Sequence, residues 1–254
     1  PANIRKNGII ASHDGLSFGG LIIDEAMKIS TYMDIFEFLL NFFSKNGCKK
    51  LIYKCIPSIY HKYPSDEDLY ALFANGAVLV SRNLNSVVRP SQSVSLETRR
   101  ARQLKKAISK KIIFKEVTDL ANFWYLLEGV LLKKHKKSPT HNLEEIQKLK
   151  CSFGNNIRLF VSGWDNKILS GVLIFETDMV AHAQYIASSE DGRKFGGLEL
   201  IFDNLLNNIF FRKEWFSFGI STEADGKFLN TGLVTHKEGF GARTSTLDTY
   251  ELTL

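Results

Sequence analysis

Apolar and polar residues change period several times along the chain, and each change marks an element. Residues 8–23 (GIIASHDGLSFGGLII) set short apolar pieces between glycine-bearing turns, which predicts strand, loop, strand. Residues 31–45 place Ile35, Phe38, Leu39, Phe42 and Phe43 at helical spacing, and Asn46-Gly47 ends that helix. KKLIYKCI reads as a short strand stopped by Pro57. A short helix capped by Ser65 follows, then a turn at Asn75-Gly76, with Ala77–Val80 and Ser86–Val88 as a strand pair. Residues 89–96 (RPSQSVSL) are polar and hold a proline, which marks a domain boundary. Beyond it, Ala101, Leu104, Ile108 and Ile112 predict the apolar face of a basic helix over 97–111. The rest predicts helix 118–134, a basic loop, helix 142–152, strand 157–163, a turn at Asp165-Asn166, and strands 168–176 and 180–188. A glycine loop, helix 196–211, strand 215–222, a short helix over 228–236 and a final strand pair near 243–254 complete the pattern. This order predicts an α/β (α+β) protein with domains 1–92 and 112–254, joined by a basic helical connection, 93–111.

Composition narrows the class. With 44% apolar and 24% charged residues over 254 positions, the chain is neither a disordered tail, a collagen-like fibre nor a disulfide-stapled miniprotein. The longest apolar stretches, Ile35–Phe43, Phe123–Leu132 and Leu198–Phe211, are broken by Glu, Asp or Asn. None approaches the roughly 20 apolar residues of a membrane span. Residues 1–8 lead into a strand rather than an apolar signal segment. The opening Pro1-Ala2, without methionine, reads as trimmed, so the first domain is expected to be N-terminally incomplete. Cys48, Cys55 and Cys151 match no zinc or CxxC spacing, so free thiols in a cytoplasmic setting are expected. The net charge of +6 is local: residues 97–115 hold eight Lys/Arg against one acid, a net of +7, leaving −1 elsewhere.

Candidate chemistry centres on the strand 180–188, which runs into SSEDGRKFGGLEL and a long helix. Free N–H groups at a helix start, with Gly192, Gly196 and Gly197 and the charges of Arg193 and Lys194, fit an anion site; tight-turn glycines are the plainer reading. His182 and Gln184 lie two apart and share one side of their strand. His182 fits a proton relay or a buried structural histidine. Glu223 fits a general base in a desolvating cleft or a capping or surface carboxylate. His13, Asp14, Lys54, Tyr60, His61 and Tyr63 mix charge and aromatics, as an acceptor site for a sugar or peptide would, or form an ordinary polar loop. The histidines show no metal spacing, and no Gly-x-Ser-x-Gly elbow supports a hydrolase. The basic helix reads as a solvated face, a contact for donor phosphates or an RNA-backbone contact.

From 112 onward the element order resembles the GNAT acyltransferase fold. Arg193-Lys194-Phe195-Gly196-Gly197-Leu198 resembles that family's acyl-CoA pyrophosphate loop, with Leu198 where a small residue is usual. Asn230, Leu233 and Gly239-Phe240 resemble its fourth-helix motif, with His236-Lys237 where a tyrosine acid is usual. The whole chain is similar to FemAB-like proteins, tandem GNAT units related to peptidoglycan-bridge aminoacyltransferases and often associated with surface-polysaccharide synthesis. HDGLSFGGL (13–21), KCIPSIYHKYPSDEDLY (54–70), AHAQYIASSEDGRKFGGLEL (181–200) and FGISTEADGKFLNTGLVTHKEGFGAR (218–243) carry the resemblance. It implies two packed GNAT-like domains, each a mixed, mostly antiparallel sheet flanked by helices. It also implies an N-acyltransferase moving an acyl group from acyl-CoA, acetyl-CoA first, to an amine such as an amino sugar, without metal. Arg193, Lys194, Gly196, Gly197 and Asn230 would hold the donor, with Tyr185, Ile186, Ala187 and Ser188 along its pantetheine arm. His13, Asp14, Lys54, Tyr60, His61, Gln184 and Lys237 would meet the acceptor; Glu223 would be the base and His182 its relay. An aminoacyl-tRNA-dependent transferase and a non-catalytic ligand-binding protein are the alternatives.

Overall fold

The computed structural model describes residues 2–92, 96–165 and 167–254. Its first half runs β1 (Ala2–Arg5), β2 (Ile9–Ser12), α1 (Ile29–Lys45), β3 (Lys50–Lys54), α2 (Glu67–Ala74), β4 (Val78–Val88), α3 (Thr98–Ser109) and β5 (Ile113–Val117). Next come α4 (Ala121–His135), α5 (Leu143–Phe153), β6 (Ile157–Trp164), β7 (Lys167–Glu176), β8 (Val180–Ser188), α6 (Glu190–Phe195) and α7 (Gly197–Asn204). The chain closes with β9 (Trp215–Ile220), β10 (Thr222–Glu223), β11 (Phe228–Leu229), α8 (Thr231–Glu238) and β12 (Arg243–Thr253). The mixed α/β class read from the sequence is the class observed.

By contacts the chain divides into two units, neither continuous in sequence. The first comprises Pro1–Asn85, Ile220–Thr231 and Thr244–Leu254; the second comprises Ser86–Gly219 and Gly232–Arg243. The segments 220–231 and 244–254, grouped with the second domain on sequence, thus lie in the first unit. Part of the expected linker, residues 93–95, and Asn166 of the expected turn lie outside the described residues.

In the first unit the strand order is β1-β2-β3-β12-β4. β2 pairs with β3 in parallel, and β12 pairs with β3 antiparallel, setting Leu252 opposite Leu51 and Tyr250 opposite Tyr53. Tyr32 and Phe36 of α1 and Leu72 of α2 close over this face, with Cys48 and Cys55 among the buried neighbours. Ala77–Val80 and Ser86–Val88, read as a pair, belong to one long strand, β4. Arg82 and Asn83 in its middle are no turn: Arg82 forms a two-pronged ion pair with Asp248 of β12 at 2.7–2.8 Å. The expected final strand pair is likewise one strand, β12, since nothing in RTSTLDTYELT breaks it.

In the second unit the order is β9-β8-β7-β6-β5. Its central strands are apolar on both faces, as strands covered twice must be. Leu159, Val161, Leu173 and Ala187 face Phe123, Trp124, Leu127 and Ile146 of α4 and α5. The alternate residues Phe160, Val172, Ile174 and Ala183 face Ile201 and Phe202 of α7, with Phe216, Phe218 and Phe240. Asn142 and Glu145 form a reciprocal capping box that starts α5.

Candidate active site

The strand β8 departs from regular pairing twice. Against β7, Leu173 faces Tyr185 and Ile174 faces Ala183, so Gln184 is an extra residue bulged out of the ladder. A bulge bends its strand and sharpens its twist. Against β9, β8 pairs in parallel only through Val180–Trp215, Ala181–Phe216 and His182–Ser217. Both strands continue past that point, so they part and leave a wedge whose apex is His182 and Ser217.

Three polar groups meet there. His182 Nδ1 lies 2.9 Å from Ser217 Oγ, and Gln184 bulges from the same strand two residues on. Burial and then the charge of Lys237 depress the His182 pKa to about 4, so the ring is neutral at pH 7. Held through Ser217, His182 braces the apex. Lys237 on α8 is buried and donates to the Gly219 carbonyl at 2.8 Å; burial lowers its pKa to about 8. The neighbouring His236 meets the Phe240 ring edge-on, and burial, followed by the charge of Arg100, brings it to about 4. The wedge therefore holds an ammonium among neutral rings, a fixed positive charge in a poorly solvated place.

The predicted donor residues serve the fold. Tyr185 is fixed by His141 Nδ1 at 2.7 Å and by an edge contact with Trp124. Ile186 and Ala187 enter opposite cores, and Ser188 Oγ lies 2.8 Å from Ser170 Oγ, so their backbone alone can meet a donor. The predicted glycine loop is largely helical. α6 begins at Glu190, capped by Ser189 Oγ accepting from the Gly192 N–H at 3.0 Å. Gly196, left-handed at φ +79°, bends the chain into α7; a Cβ there would lie 2.3 Å from the Gln103 carbonyl, and one at Gly197 would lie 2.4 Å from Ser170 Oγ. These glycines allow close packing against α3 and β7. Arg193 donates to the Ser188 carbonyl at 2.6 Å, and Lys194 lies over the Phe195 ring. The first turn of α6 carries Glu190 and Asp191, which Lys133 and Lys167 keep well below the usual carboxylate range. Two carboxylates already occupy the positive end of that helix, a poor place for a pyrophosphate.

Glu223 and Asn230 lie in the first unit and bond each other, Asn230 Nδ2 donating to Glu223 Oε1 at 2.9 Å. Glu223 is exposed. Of the predicted acceptor residues, Gln184 and Lys237 lie in the second unit, whereas His13, Asp14, Lys54, Tyr60 and His61 lie in the first. Lys54 Nζ donates to the carbonyls of Leu16, Asp14 and His13 at 2.8, 3.1 and 3.4 Å, so its three protons hold the loop. Asp14 pairs with Arg5 through both oxygens. Tyr60 packs on Phe18, and His61 Nε2 meets the Ile56 carbonyl at 3.1 Å. Sequence reasoning missed Ser217, since nothing in the sequence fixes the parallel register that pairs it with His182. Among the described residues no group of three His, Cys, Asp or Glu could hold a metal, and no helix is long and apolar enough to cross a membrane.

No family model matches the chain, and no curated protein matches its sequence. Solved structures do. FemX is 11% identical, with a TM-score of 0.70 over 97% of this chain and 80% of that one. The chain has the FemX fold. The C-terminal domain of a putative lysylphosphatidylglycerol synthetase from Agrobacterium fabrum is 13% identical, with a TM-score of 0.66 over 98% of this chain and 78% of that one. L-PGS from Bacillus licheniformis is 12% identical, with a TM-score of 0.60 over 95% and 76%. The FemAB-like resemblance read from the sequence is thus matched in three dimensions.

Proposed function

We propose that this chain is a cytoplasmic acyltransferase that acylates an amine, with Lys237 at the β8–β9 wedge as its oxyanion-stabilising group. The buried Lys237, beside a splayed and bulged strand pair, carries the reading. The amine nitrogen attacks the carbonyl of an activated ester, a C–N bond forms and the C–O bond to the carrier breaks. The proton lost by nitrogen ends on the leaving hydroxyl. A cation with few competing waters stabilises the developing alkoxide more than the uncharged ester, and so lowers the barrier.

Of the two donors, the acid-capped start of α6 and its packed glycines favour an aminoacyl-tRNA over acyl-CoA, and the basic α3 agrees with that choice. The acceptor read from the resemblance is an amino sugar of a surface-polysaccharide precursor. Label should pass to an amino sugar from aminoacyl-tRNA, with loss on RNase treatment and at raised salt; transfer from acetyl-CoA would instead establish the thioester donor. Lys237→Met should lower kcat/KM by roughly a hundredfold or more. Retention of the wild-type rate by that variant would remove Lys237 from the reaction. The base role of Glu223 is tested separately, and an unchanged rate in Glu223→Gln would withdraw it.

A further inference from the structure

The second unit contains a cleft of about 920 Å³ that shares no residue with the wedge. It lies between α4 on one side and β5 with the β6–β7 turn on the other, and Ser189, Glu190 and Arg193 close one end. Its volume is in the range of sites for nucleotide-sized ligands. The floor is aliphatic, from Ile113, Val130, Val161 and Ile168, while the charged lining sets Lys115, Lys133, Lys134, Lys167 and Arg193 against Asp119, Asp165 and Glu190, a net positive balance. Lys133 and Lys167 in that lining are paired with Glu190 and Asp191. Lys115 and Lys134 also line it and are exposed, and their side chains make no hydrogen bond or ion pair with a described residue. Tyr125 presents its ring to the cleft with 83% of its surface exposed.

Gly129 supplies an independent observation. It lies inside α4, where glycine disfavours the helix relative to alanine. Its backbone is not left-handed, and a Cβ built on it meets nothing within 4 Å. Neither turn nor packing accounts for a glycine there, yet it lines the cleft, where a missing side chain leaves room for a ligand against the helix.

We propose that this cleft binds a nucleoside diphosphate, its base between Tyr125 and the aliphatic floor over Gly129 and its phosphates between Lys115 and Lys134. The flat aromatic ring and apolar floor suit a base, and two uncommitted ammonium groups suit two phosphates. Such a site is separate from the transferase reading, and binding of ADP would not by itself make acetyl-CoA a donor; the transfer assay decides that.

The test is equilibrium binding of ADP, UDP and inorganic phosphate to the intact chain, with unfolding midpoints measured alongside. ADP or UDP should bind with a Kd below a millimolar and at least tenfold more tightly than phosphate. Gly129→Leu and the double variant Lys115→Glu/Lys134→Glu should each weaken nucleotide binding at least tenfold. Gly129→Ala should raise the unfolding midpoint while weakening binding, a pairing that a purely structural glycine would not give and that guards against misfolding of the leucine variant. No binding of either nucleotide, phosphate bound as tightly as nucleotide, or a folded variant at wild-type affinity would each overturn the proposal.

Discussion

At Lys237 the proposed chemistry and the stability of the fold oppose each other. In the unfolded chain its ammonium keeps the ordinary pKa of 10.5, while burial lowers the folded value to about 8. Between those values the unfolded chain holds a proton that the native chain has released, so stability rises with pH across that window. Below pH 8 the full cost of the buried charge, about 3 kcal/mol, is present. Lys237→Met should therefore be more stable than wild type at pH 7, and urea titrations should show its advantage shrinking between pH 8 and 10. A constant difference across that range would show that the native ammonium is not penalised. The sequence singled out Lys237 because it stands where a tyrosine is usual, but as an acceptor contact. Its place depends on β9 bringing the Gly219 carbonyl to α8, which no local pattern encodes.

At the scale of elements, two devices place side chains against local preference. In the β10–β11 hairpin, Ala224, Asp225 and Gly226 are all left-handed, at φ 50°, 54° and 87°. The turn is tied to β4 by Ser81 Oγ donating to the Asp225 carbonyl, and by Thr222 Oγ1 donating to Asn83 Oδ1, both at 2.8 Å. A Cβ at Gly226 would lie 2.0 Å from the Arg82 carbonyl. Gly226→Ala should thus cost more than about 2 kcal/mol in urea unfolding, strain and clash adding together. A cost below 0.5 kcal/mol would show that the turn relaxes freely. The second device is α3. Helical spacing marked Ala101, Leu104, Ile108 and Ile112 as its apolar face, yet Ile108 is 61% exposed while Arg100 and Ala107 are buried. Arg100 pairs with the equally buried Glu199 of α7 at 2.6 Å and lies over the Phe240 ring. A buried ion pair rotates the helix away from its hydrophobic pattern, because each charge needs the other once both leave water. The strands, by contrast, were legible where apolar runs were long and turns were marked, as in β6, β7 and β8. Boundaries failed where glycines signalled a loop that a helix occupies, as at α6.

Across the whole molecule, the route of the chain sets what can be removed. The last strand, β12, lies between β3 and β4 in the first unit's sheet. A chain ending at Arg243 should therefore lose the first unit rather than a tail. Limited proteolysis should cut within residues 2–85 while fragments of the second unit persist; full resistance of both units would show that β12 is dispensable. The expected boundary at 89–96 missed this because a composition shift marks where a chain leaves a unit once and says nothing of two later returns. The position of β12 also bears on biosynthesis. As the nascent chain emerges, β3 and β4 are complete long before the strand that separates them exists, and the second unit is made in between. For that interval two strand edges are held open, each able to pair with the wrong neighbour. On a polysome, where copies of the same segment emerge side by side, such edges would invite exchange between chains, so slowing synthesis through the second unit should lengthen the time a chaperone is needed.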